Sequence, residues 1–73
     1  MIDTKKLEQI KKKIDSEFLH LQDVNGTAIK MKDNEYVIVI YVKKINTVLK
    51  QIIPEEMDGI KVYIEEIGEV HPL

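Results

Sequence analysis

The chain has no cysteine, no tryptophan and no arginine, and it holds one serine, one phenylalanine, two prolines and three glycines. Without cysteine there are no disulfides, no thiolate nucleophile and no thiolate-held metal or iron–sulfur cluster, and the redox compartment is left unmarked. Without arginine there is no planar fork to grip phosphates or guanine edges bidentately, so all eleven basic residues are point-charge lysines. That lack and a pI near 5.6 argue against specific nucleic-acid binding. The single serine, Ser16, lies inside a helical pattern, which is no setting for a nucleophile. No P-loop and no GxGxxG occurs. No apolar run approaches the roughly 18 residues of a membrane span. The charged start MIDTKKLEQIKKK leads into no apolar stretch, so no secretory signal is read and the cytoplasm is the expected location.

What is present is charge and aliphatic residues. The 73 residues are 33% charged and 44% hydrophobic, which suits one globular domain over 1–73, near the lower size limit for folding on a core alone. Charge is uneven. Residues 1–13 hold five lysines against Asp3 and Glu8, and residues 55–73 hold six carboxylates against Lys61.

Leu7, Ile10, Ile14, Phe18 and Leu21 recur at helical spacing and predict an opening helix, with Asp3 or Thr4 as its cap and an Ile2–Leu7 staple. Asn25-Gly26 marks a turn or a strand entry. A hairpin follows, with arms 27–32 and 35–42 and Asp33-Asn34 at the tip. That tip pairs Lys32 with Glu35, Met31 with Tyr36, Ile29 with Ile38 and Ala28 with Val39. Asn46 caps a short helix over 47–53, with Val48, Leu49, Ile52 and Ile53 as its apolar stripe and Pro54 as its stop. Asp58-Gly59 turns into an alternating strand over 60–67, and residues 68–73 are expected to form a loose tail.

Residues opposite each other in an antiparallel pair share a face. One face collects Thr27, Ile29, Met31, Tyr36, Ile38, Ile40, Val42, Ile60, Val62 and Ile64, which matches the helix stripes and is the expected core. The other collects Ala28, Lys30, Lys32, Val37, Val39, Tyr41, Lys61, Tyr63 and Glu65. Both helices are needed over the first face. Val37, Val39 and Tyr41 are therefore expected to lie uncovered, either as a half-exposed strand whose β-branched residues reflect strand propensity alone or, the favoured reading, as an interaction surface, since exposed apolar patches mark interaction sites.

The stretches VNGTAIKMKDNEYVIVIYVKK and IPEEMDGIKVYIEEIGEV resemble a family of small uncharacterised bacterial and archaeal domains. That family has a Gly-rich first strand, a VVYV-K-K strand, then IP and dGvpV-v-e-G, and its modules occur alone or ahead of trypsin-like serine peptidase domains. Gly26, Pro54, Gly59 and Gly68 match its turn positions, and Val39, Tyr41, Val42 and Lys43 its central strand. Ala28 and Lys30 stand where the family has further glycines. The resemblance supplies no catalytic residue and implies an accessory role. The order α-β-β-α-β also occurs in NifU-type iron–sulfur scaffold domains, whose cluster ligands are missing here, and the type II KH fold needs a GxxG loop that this chain lacks.

Other chemistry finds little support. His20 and His71 are far apart and make no metal set, and no cofactor is expected. Neighbours in Glu65-Glu66 point to opposite faces of a strand, so they do not work as a carboxylate pair. The expectation is thus a two-layer α+β fold, a three-stranded mixed sheet with residues 35–42 in the middle and two helices on one face. Its function reads as a non-enzymatic protein-interaction or accessory module, a homo-oligomer or a partner-docking domain. The docking residues would be Ala28, Val37, Val39, Tyr41 and Tyr63. A basic helix face of Lys5, Lys6, Lys11, Lys12 and Lys13, for nucleic acid or an anionic surface, is the alternative.

Overall fold

The computed structural model describes residues 4–68. The staple and cap residues Ile2 and Asp3, and residues 69–73 of the expected tail with His71 among them, lie outside the described residues. Within them the elements are α1 (Thr4–Phe18), β1 (Val24–Lys32), β2 (Glu35–Val42), α2 (Thr47–Ile52), β3 (Glu56–Met57) and β4 (Ile60–Glu66). The sheet is mixed and four-stranded, in the order β1-β2-β4-β3. The α+β class therefore holds and β2 is internal, but the three-stranded sheet is corrected to four.

The extra strand, β3, is only two residues long, and period-2 alternation has no meaning over two residues. Its existence follows from the turn. Asp58 and Gly59 both have positive φ, 50° and 86°, as a two-residue hairpin tip with matching twist demands. Met57 then pairs with Ile60 and Glu56 with Lys61.

The β1–β2 hairpin has the expected register, Lys32 with Glu35 through Ala28 with Val39. Asp33 and Asn34 form its tip at φ 51° and 64°. β1 begins three residues before the expected start, at Val24, because a bulge between Val24 and Gly26 lets Val24 pair with Val42 and enter the core. β2 and β4 are parallel, Ile38 beside Val62 and Ile40 beside Ile64, as the α2 crossover requires.

The core lies on one face of the sheet. Leu7, Ile10, Ile14 and Phe18 of α1 and Leu49 and Ile53 pack against Val24, Ile38, Ile40, Val42, Ile60 and Val62. Two expectations for this side are corrected. The α2 region buries Leu49 and Ile53, one turn apart, but Val48 and Ile52 face outward at 63% and 46% exposure. A short helix on a sheet hides one narrow stripe, so an apolar set twice that width leaves half outside. Met31 and Tyr36, assigned to the core face, are exposed at the hairpin tip. α1 itself ends at Phe18, and Leu21 reaches the core from the turn that follows.

A polar tie fastens α1 to β1. The Thr27 hydroxyl donates to one carboxylate oxygen of Asp15, while the other accepts from the Lys11 ammonium at 2.9 Å. At α2, the Asn46 side chain accepts the Leu49 N–H at 2.9 Å, the expected cap.

Candidate binding face

Among the described residues no helix covers the side of the sheet opposite the core, yet its centre is not bare. Val37 is 2% exposed and Val39 is 6% exposed, while Ala28, Tyr41 and Tyr63 are half-buried. The expectation of an uncovered apolar patch is thus corrected: among the described residues side chains, rather than a helix, do the covering.

The register shows how. Lys32 stands on β1 and Tyr63 on β4, with β2 between them, and the Lys32 ammonium lies 4.2 Å from the Tyr63 ring centroid. A contact between the two strands that flank β2 must cross it, and the side chains beneath it are the two valines. Lys30 pairs with Val37 in the ladder, and its ammonium leans back along the sheet to 5.3 Å from the Tyr41 ring. Lysine stems cover apolar surface readily while keeping the charge wet, and an ammonium over an aromatic face is attracted by the ring quadrupole. Tyr41, by hydrogen bonding and charge, holds the Lys30 ammonium above its usual value; desolvation opposes this and Glu65 adds to it.

Charges of both signs frame the face. Lys30 lies 4.0 Å from Glu65 and Lys61 3.9 Å from Glu35. Their side chains are more than half exposed, so each pair contributes little to stability, roughly 0–1 kcal/mol. Opposite Tyr41 stands Gly26, where an added Cβ would meet open space. The result is an apolar floor of two valines, a polar-tipped lid of two Lys–Tyr pairs and a mixed-sign rim. The sequence places every one of these residues on one face; what it does not carry is the diagonal lean of the lysines, which depends on rotamers rather than on register.

The alternative basic face is less unified than the sequence suggests. Lys5, Lys6, Lys12 and Lys13 are exposed, but Lys11 is turned toward β1 and held by Asp15, and Lys13 lies 3.9 Å from Asp58. His20 is exposed in the turn after α1. Among the described residues no three His, Cys, Asp or Glu side chains come together in a metal-binding group. No helix among them is long and apolar enough to cross a membrane. Comparison with protein-family models, with curated proteins and with solved structures finds no match to this chain.

Proposed function

We infer that the protein is a non-enzymatic interaction module whose recognition surface is the open face of the sheet, and that a second copy of the chain is its first partner. The observation that carries this reading is that Val37 and Val39 are buried beneath a face where, among the described residues, the ammonium ends of Lys30 and Lys32 lie over the rings of Tyr41 and Tyr63. Such a cover moves by rotamer changes alone, so the face can pass from a wet, lidded state to a packed one without refolding the sheet. Tyrosine, with a broad apolar body and a polar tip, is enriched at interfaces for this reason. The mixed-sign rim fits self-association, since a two-fold axis lays the lysines of one copy over the carboxylates of the other.

Light scattering at micromolar concentration tests the reading. The wild-type chain is expected as a dimer, and Tyr63→Glu as a monomer with an unchanged circular-dichroism spectrum. A wild-type monomer at all concentrations overturns the self-association version. Docking to a different protein through the same face, in the accessory role implied by the resemblance to peptidase-linked modules, is then the remaining form of the proposal. The basic-helix alternative rests on Lys5, Lys6, Lys12 and Lys13 being exposed along α1. It predicts strongly salt-dependent retention on heparin, and elution at low salt sinks it.

A further inference from the structure

A second surface stands apart from the open face, along the outer edge of β4. The direction of its backbone groups follows from two hydrogen bonds. Val62 N–H donates to Glu55 C=O at 2.9 Å, on the side away from β2, and Ile67 N–H donates to Val42 C=O at 2.9 Å, on the side toward it. Strand residues alternate in this respect, so Ile64 and Glu66 direct their N–H outward, as Val62 does. β3 satisfies this edge at Ile60, which pairs with Met57, and Glu55 adds the bond to Val62. It goes no further because the next residue back is Pro54, which has no N–H, and Ile53 has already turned its own N–H into α2 toward Leu49 C=O. Beyond Val62, the Ile64 N–H and C=O and the Glu66 N–H have no backbone partner among the described residues.

Beside this open row lies a groove of about 630 Å³, whose lining includes Ile45, Lys50, Ile53, Pro54, Tyr63 and Ile64. The other sheet edge, on β1, differs. It carries a bulge at its start and Lys30 and Lys32 near its end, features that discourage strand addition. The β4 edge has no lysine from Val62 to Glu66 and has an aliphatic wall.

We propose that the β4 edge beyond Val62 is a strand-addition site for an extended peptide segment of a partner protein, with an apolar side chain opposite Ile64 and polar side chains on either side of it. Only an extended backbone about 4.8 Å away meets alternating N–H and C=O groups in register. A residue paired with Ile64 points to the core side, toward the aliphatic wall of the groove, and its neighbours point toward Tyr63 and Glu65 on the open face. From Val62 to Glu66 the edge runs about 13 Å, enough for a segment of roughly four residues. The groove brings Lys50 and Lys61 together with Glu55 and Glu56, so the segment needs no net charge.

Amide hydrogen exchange on the full chain tests this, with capped pentapeptides alternating threonine with valine or isoleucine as probes. Without peptide, the Ile64 and Glu66 amides exchange fast while the Tyr63 and Glu65 amides, bonded to β2, are protected. With millimolar peptide, exchange at Ile64 and Glu66 is expected to slow at least tenfold, and Ile64→Pro is expected to abolish the response with the fold retained, since its lost N–H faces outward. If Ile64→Pro does not fold, the wild-type protection pattern decides alone. No slowing at Ile64, or perturbation confined to the amides of Val37, Val39 and Tyr41, overturns the edge proposal. The second result speaks for the open face instead, so the two surfaces are separable.

Discussion

Asp33, Asn34 and Asp58 all adopt the left-handed backbone without being glycine. Asp and Asn tolerate that region better than other side-chain-bearing residues because their short polar groups bond locally. Gly59 completes the second of these turns at φ 86°. Gly26 has an ordinary strand conformation beside the bulge, and a Cβ would meet nothing within 4 Å at either glycine. The same substitution should therefore act with opposite sign at the two sites. Gly59→Ala strains the backbone and is expected to cost about 1–2 kcal/mol, whereas Gly26→Ala mainly restricts the unfolded chain and is expected to be neutral or stabilising by up to about 1 kcal/mol. Urea midpoints check both, and equal effects would show that space, rather than backbone conformation, governs these positions. Lys30 adds a pH dependence. Its ammonium is held above the usual lysine value by Tyr41 and Glu65, so its contribution is fully present below that value, 10.5, and is lost as pH rises through the higher folded one. The Lys30 contribution is expected to hold from neutral pH up to 10.5 and to be lost above it, so that the alkaline fall in stability is smaller in Lys30→Met. A Lys30→Met profile superimposable on wild type would remove Lys30 from the account.

Between elements, the Asp15–Thr27–Lys11 tie is the polar link from α1 to β1, and its partners are half-buried. Asp15→Ala leaves the Thr27 hydroxyl without its acceptor and is expected to cost about 1–2 kcal/mol, against less than about 0.5 kcal/mol for Lys13→Ala at its exposed 3.9 Å pair. Thermal midpoints of the two variants compare them, and equal shifts would deny the tie its role. Asp15 also shows where reading the sequence stops. The stripe of Leu7, Ile10, Ile14 and Phe18 was legible from spacing, and the hairpin register from Asp33-Asn34, because both rest on local periodicity and turn chemistry. The Asp15–Thr27 contact joins residues twelve apart, on faces that only packing brings together. β3 was illegible for a different reason: two residues carry no pattern, although the Asp58-Gly59 tip was a signal that a strand could precede it. On the open face, register located Val37, Val39, Tyr41 and Tyr63 together, but the Lys30 and Lys32 side chains over them are a matter of χ angles. Val48 and Ile52 mislead because an apolar count does not say which side of a short helix meets the sheet.

For the whole molecule, size and asymmetry meet. A chain of 73 residues buries a smaller fraction of its surface than a larger domain, and here the buried aliphatic cluster that includes both helices lies on one side of the sheet. A partner on the other side adds stability by mass action, since it binds the folded chain and not the unfolded one. If that partner is a second copy, thermal stability becomes a function of protein concentration. Above the dissociation constant, each tenfold rise in concentration adds about 1.4 kcal/mol per dimer, or about 0.7 kcal/mol per chain. In a domain of this size that corresponds to roughly 3–6 °C in Tm. Calorimetry from ten-micromolar-scale to millimolar-scale samples is expected to show this climb for the wild type and a flat Tm for Tyr63→Glu, whose carboxylate would have to be buried against the opposing face. A wild-type Tm independent of concentration over that range leaves Val37 and Val39 covered by this chain's own lysines and tyrosines alone, and self-association through the sheet is then wrong.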